Sequence, residues 1–300
     1  MKWLEVSLTT SAENAEAVAD VLARFAPAGT AISGEAETPG APWTVRAYLP
    51  EPSAGESVRR EVRQAVWHLS QISPLPEPSF QWIEGEEWSE SWKKHFHPVA
   101  VGRRLIVVPP WLESTDPDRR PLVLEPGMAF GTGAHPSTRQ CLTALDDLVR
   151  PGDLVVDIGC GSGILSVAAI LFGARRVLAC DLDELAIAAT RRGAELNGIG
   201  PELNTFQGSL PEAAARLAGE RPADGVVANI LAPVLIEMLG KGLSDLLRPG
   251  GWLVLAGILL DQREGVDRAA ASANLTRASE TVEGDWIALT FLRPSDPTFR

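Results

Sequence analysis

The chain shows two kinds of apolar patterning, and they change over near its middle. Over its first 85 residues, apolar and polar positions alternate along 2–8 and 43–49, while 11–25 and 57–70 carry apolar residues at helical spacing. Half-buried strands and amphipathic helices are expected from those periods, with Ser11 as the N-cap of the first helix. Residues 31–35 and 80–84 read as two further strands, the former joined to 43–49 through a Pro/Gly turn. The order βαββαβ is that of a ferredoxin-like α+β domain. Residues 86–96, EEWSESWKKHF, place Trp88 and Trp92 four apart, which predicts a docking helix between two domains.

Beyond residue 105 the strands become continuous apolar runs. After an expected hairpin over 105–109 and 121–125, runs at 154–158, 176–181, 203–207, 223–229 and 252–256 read as parallel strands buried on both faces. Helical patterns lie between them, at 139–149, 164–172, 184–196, an Ala-rich stretch after 209, 233–247 and 263–273. Segments 275–281 and 285–293 are expected as two edge strands. Strands alternating with helices predict a doubly wound, Rossmann-like sheet of seven strands. The domains expected are a recognition module over 1–85, a linker helix over 86–104 and a nucleotide-binding domain over 105–300.

Chemistry concentrates where the first of these runs stops. Leu154-Val155-Val156-Asp157-Ile158 leads into Gly159-Cys160-Gly161-Ser162-Gly163, glycines that let backbone approach a ligand closely before a helix begins. The dinucleotide fingerprint GxGxxG would need glycine where Ile164 stands, so a pyrophosphate is not expected. The next strand ends in Asp181, about 20 residues on, where a carboxylate accepts both hydroxyl protons of a ribose. S-adenosylmethionine is the nucleoside cofactor that fits.

Two further stretches extend that expectation. The loop Pro126-Gly127-Met128-Ala129-Phe130-Gly131-Thr132-Gly133-Ala134-His135 runs into a helix that Ser137 or Thr138 would cap, leaving unpaired N–H groups for a methionine carboxylate. His135, beside Pro136, is expected to be structural rather than a base. At 223–229 a central strand ends in Asn229, whose amide oxygen can accept from a substrate N–H and turn the nitrogen lone pair toward a methyl group. Deprotonating a lysine at pH 7 costs roughly 4.6 kcal/mol. A sulfonium about 4 Å away opposes the ammonium by about 4 kcal/mol at a dielectric near 20. The two are comparable, so no dedicated general base is required.

Composition narrows the partners. There are 39 Asp and Glu against 27 Lys and Arg, a formal charge of −12, and the first 85 residues hold 11 acidic and 6 basic side chains, a net of −5. Such a surface disfavours bare nucleic acid as substrate and favours a basic protein. Cys141, Cys160 and Cys180 have neither the number nor the spacing of a disulfide framework, and His68, His95, His97 and His135 form no metal motif. No signal peptide or membrane span is seen, so a cytoplasmic protein, expected to be monomeric, is the default.

Four motifs carry a family resemblance. PGMAFGTGAHPST at 126–138, VDIGCGSGIL at 156–165, ANILAPV at 228–234 and AGILLDQ at 256–262 resemble, in order along the chain, the methyltransferases of large-subunit ribosomal protein eleven. WSESWKKHFHPVAVG at 88–102 is similar to that family's linker. The resemblance implies S-adenosylmethionine-dependent methylation of that protein's lysine ε-amines and N-terminal α-amine, up to the trimethyl form. It further implies cofactor contacts from Thr138, Gly159, Gly161, Asp181 and Asn229, closure by Phe130, and an Asn229 that orients the amine in a pocket shaped by Ile230 and Leu231. Ala256 departs from the pattern, where a small hydroxyl residue is expected. Alternatives are a methyltransferase for a planar nitrogen, disfavoured because Ile230-Leu231-Ala232 lacks a stacking aromatic, a non-catalytic binding module, and a dehydrogenase, which Ile164 weakens.

Overall fold

The computed structural model describes residues 2–26, 30–33, 42–51, 54–70, 74–84, 98–114, 116–125, 135–219 and 221–295. The chain divides into two compact units, 1–97 with 125–130, and 98–124 with 131–300.

In the first unit, strands β1 (Lys2–Thr10), β2 (Thr30–Ser33), β3 (Trp43–Pro50) and β4 (Ser79–Glu84) form an antiparallel sheet in the order β2-β3-β1-β4. Helices α1 (Ala12–Ala23) and α2 (Glu56–Ser70) supply the crossovers, giving the expected βαββαβ order. Leu4, Val6 and Leu8 of β1 alternate inward against Val18, Leu22, Val62 and Val66 of the helices. Ser11 stands at the N-cap of α1, but its side chain makes no capping hydrogen bond. The docking helix expected over 86–96 lies outside the described residues.

The second unit begins with a three-stranded sheet that corrects the expected hairpin. β5 (Val99–Val101), inside the stretch assigned to the linker, pairs antiparallel with β6 (Leu105–Val108), whereas β6 and β7 (Arg120–Val123) run parallel. The tight turn therefore lies at Gly102, with φ +57°, and 109–119 is a crossover.

The main sheet has seven strands in the order β10-β9-β8-β11-β12-β14-β13. They are β8 (Leu154–Ile158), β9 (Arg176–Asp181), β10 (Leu203–Gln207), β11 (Ala223–Asn229), β12 (Leu247–Leu259), β13 (Thr276–Glu283) and β14 (Trp286–Leu292). The order reverses between β8 and β11, neighbours at the centre. Successive side chains of these strands enter opposite cores: Val156, Ile158, Val226 and Ala228 one, Val155, Val177, Val227 and Val254 the other. Helices α3 (Pro136–Leu148), α4 (Ile164–Phe172), α5 (Glu184–Leu196), α6 (Leu210–Leu217), α7 (Ala232–Gly240) and α8 (Arg263–Ser272) cover the sheet.

Two expected elements change. The helix expected over 233–247 ends at Gly240, and Gly242, at φ +95°, starts a separate 3-10 turn, Leu243–Leu246. β14 is no edge strand, because it lies between β12 and β13 and pairs with both; of the two, β13 alone is an edge.

Candidate active site

β8 and β11 are in register with Ala228 opposite Ile158, so the next residues, Asn229 and Gly159, stand level at the sheet's carboxyl rim. In open α/β sheets this point of reversal is where ligands bind. Backbone hydrogen bonds hold the turn after β8: Gly159 and Cys160 N–H donate to the Cys180 carbonyl at 2.8 and 3.0 Å. Gly159, Gly161 and Gly163 all have φ between +52° and +80°. At Gly159 glycine is also demanded by space, because a Cβ there would lie 2.5 Å from Ile230 Cγ2. Ile230 thus closes one side of the turn.

Asp181 closes another. Its Oδ2 accepts from Gly161 N–H at 3.1 Å and its Oδ1 from Asp183 N–H at 3.0 Å. A carboxylate has about four acceptor positions, so two remain for a diol. Leu182, next in sequence and 73% exposed, lines a groove of about 750 Å³ with Ser209, Leu210, Val234 and Met238.

Thr138 and Asn229 meet, although 91 residues separate them. Asn229 Nδ2 donates to Thr138 Oγ1 at 3.4 Å, and both side chains are buried. The other amide atom, Asn229 Oδ1, is buried without a hydrogen-bond partner among the described residues. Beside it Gly257, at φ +79°, allows close approach, since a Cβ there would stand 3.2 Å from Oδ1 and 2.6 Å from the Ile230 carbonyl oxygen. A buried acceptor left open in this way is suited to a ligand N–H.

The helix cap differs from expectation. His135, not Ser137 or Thr138, caps α3: its Nδ1 accepts from Ser137 N–H at 3.2 Å, with Pro136 at the first helical position. Burial, with Arg139 nearby, lowers its pKa to about 4, so the ring stays neutral and able to accept. The ring thus caps the helix from its place before Pro136. Phe130, with the rest of 126–134, lies outside the described residues.

Sequence reasoning does not single out two features of the site. Asp157 is fully buried and accepts from Ser166 Oγ at 2.5 Å, while its Oδ1 has no partner. Burial pushes its pKa up to about 7. Gly257 lies inside the AGILLDQ motif, where only the departure at Ala256 stands out in the sequence. Leu231, which the resemblance names beside Ile230, is 69% exposed next to Asn229, an apolar side chain on the rim. Cys141, Cys160 and Cys180 are free and buried, and burial raises each thiol pKa. Among the described residues no cluster of His, Cys, Asp or Glu could hold a metal ion, and no helix is long and apolar enough to cross a membrane.

Residues 2–294 match the family model described as ribosomal protein L11 methyltransferase (PrmA). The chain belongs to the ribosomal protein L11 methyltransferase family. It is 35% identical to the ribosomal protein L11 methyltransferase of Chloroflexus aurantiacus over 97% of this chain and 98% of that relative. Identity to the Geobacillus kaustophilus protein of the same name is also 35%, over 98% and 100%. A crystal structure of ribosomal protein L11 methylase from Lactobacillus delbrueckii subsp. bulgaricus aligns with a TM-score of 0.59 and 31% identity, over 66% of this chain and all of the other.

Membership makes the chain an enzyme that uses S-adenosylmethionine as methyl donor. The residues present fit that group. Asp181 has acceptor positions left for a ribose, the turn at Gly159 is too close-packed for a Cβ, and among the described residues Asn229 Oδ1 has no donor.

Proposed function

We propose that this enzyme methylates amine nitrogens of ribosomal protein L11, lysine ε-amines and the N-terminal α-amine, up to the trimethyl form. The observation that carries the proposal is the buried, unpartnered Oδ1 of Asn229 at the rim of β11. An amine offers that oxygen an N–H and keeps its lone pair for attack. Ile230 and Leu231 flank it with aliphatic rather than aromatic surface, which suits a flexible alkyl amine better than a planar base or amide.

S-adenosylmethionine, when bound, supplies a methyl group activated by a sulfonium. Asp181 would hold the ribose, Gly159 and Gly161 would allow the backbone to come close, and Thr138 and Asn229 would line the methyl-transfer side. Asn229 accepts from the substrate amine and points its lone pair at the methyl carbon. The amine so aimed would take the methyl group that the sulfonium gives up, and its surplus proton would leave to water. Leu182, adjoining Asp181, offers apolar surface to the purine.

We assign substrate recognition to residues 1–85, a linker role to 86–104 and catalysis to 105–300. The first of these has no catalytic constellation, and its net charge of −5 suits a basic protein. The enzyme acts as a cytoplasmic monomer on protein rather than nucleic acid. Incubating purified L11 with enzyme and isotopically labelled cofactor, then mapping methyl groups by peptide mass spectrometry, tests this. Labelled lysine and N-terminal peptides are expected; label confined to glutamine, or to none of the peptides, would refute it.

A further inference from the structure

Helix α3 is tied to the β13–β14 hairpin by three side chains from its N-terminal end. The His135 ring meets Trp286 edge-on, with centroids 4.6 Å apart. Arg139 pairs with Glu283. Gln140 Nε2 donates to the carbonyls of both Thr281, at 3.1 Å, and Trp286, at 3.0 Å. Thr138, which meets Asn229, belongs to the same turn.

The hairpin also holds the other side of Asn229. Trp286 pairs with Leu259 of β12, and Leu260 N–H donates to the Asp285 carbonyl at 2.9 Å. Those residues come shortly after Ala256, the register partner of Asn229, and Gly257, which packs against its Oδ1. One hairpin therefore braces both neighbours of the amide.

Gln140 is the unusual member. It is 2% exposed, and its Oε1 is buried with no partner among the described residues. An apolar side chain of similar size would fill the space without leaving an unmet acceptor, so the two donated hydrogen bonds are what a glutamine supplies here. We propose that Gln140 is a positioning residue: its carboxamide sets the height and rotation of the first turn of α3, so that Thr138 holds the Asn229 amide with Oδ1 toward the substrate nitrogen. The proposal rests on Asn229 orienting the amine, the role assigned to it under the proposed function. Gln140 itself touches neither cofactor nor substrate in this role.

Steady-state methylation of purified L11 by Gln140→Leu, Thr138→Val and the double variant tests it, with a thermal melt of each. Gln140→Leu is expected to lower kcat about tenfold while KM for L11 stays within twofold. In the double variant kcat should match the lower of the two single variants within twofold, because both changes release the same amide. A wild-type kcat in Gln140→Leu, or losses that multiply in the double variant, would overturn the proposal. Should Gln140→Leu not fold, Glu283→Gln, at a half-exposed position, reads the same brace through Arg139: a severalfold loss of kcat supports it and an unchanged kcat overturns it. Asn229→Ala, run alongside, separates the two levels. Loss of turnover in Asn229→Ala with wild-type kcat in Gln140→Leu removes only the positioning role, whereas full turnover in Asn229→Ala removes both.

Discussion

The Asn229 amide and the Thr138 hydroxyl form a long hydrogen bond, 3.4 Å from Nδ2 to Oγ1, and Oδ1 has no partner among the described residues. With Nδ2 engaged, Oδ1 is the atom on offer. Thr138→Val keeps the shape of the side chain and removes the acceptor. One neutral hydrogen bond contributes about 1 kcal/mol, so kcat for L11 methylation should fall roughly fivefold. Rapid-quench kinetics would detect this, and an unaltered rate would show that the amide is held by something else.

Asp181 joins the glycine turn to the proposed ribose contact. Asp181→Ala removes the acceptor for Gly161 N–H together with the diol partner. Cofactor affinity should weaken by about 1–3 kcal/mol, roughly 5- to 150-fold in Kd. Isothermal titration with S-adenosylhomocysteine measures it directly, and an unchanged Kd would place the ribose elsewhere.

Gly257 and Gly198 separate strain from collision. Both have positive φ, +79° and +66°, but a Cβ at Gly257 meets the Ile230 carbonyl at 2.6 Å while one at Gly198 meets nothing within 4 Å. Each alanine variant should lose about 1–2 kcal/mol of stability from the left-handed backbone. Only Gly257→Ala should also lose more than tenfold in kcat, because Ile230 and Asn229 must shift. Equal kcat in the two variants, read beside their melts, would argue against a tight seat for Asn229.

Asp157 links stability to pH. Burial raises its folded-state pKa to about 7, above an unfolded value near 3.9, so the folded protein holds this proton more tightly. Its contribution is complete below about pH 4 and is lost as pH rises through about 7. Asp157→Asn keeps an acceptor for Ser166 and removes the charge. Its melting temperature relative to the parent should therefore rise between pH 5 and pH 8 by calorimetry; a constant difference would show that Asp157 ionises freely in the fold.

Much of this architecture is legible in the sequence because a strand buried on both faces has to be apolar throughout. Leu154–Ile158 and Ala223–Asn229 match their expected bounds for that reason, and so do Ile164–Phe172 and Glu184–Leu196, each closed by a glycine shortly after its end. Pairing partners are less legible. β6 and β7 carry no local mark of running parallel, and the insertion of β14 between β12 and β13 depends on contacts far apart in the chain. At the site, Gly159, Asp181 and Asn229 can be found because each stands at the end of a strand. Gln140 cannot, since a glutamine on a helix is ordinarily solvated and only the hairpin across from it reveals its partners. His135 shows the same limit, as a cap built from a ring nitrogen has no common signature.

Single-turnover methylation of L11 by Asn229→Ala, at saturating labelled S-adenosylmethionine, bears most directly on the chemistry. The rate should fall at least a hundredfold while the melting temperature stays close to that of the parent. Transfer at the parent rate would contradict the assignment of the amide oxygen as the group that aims the amine.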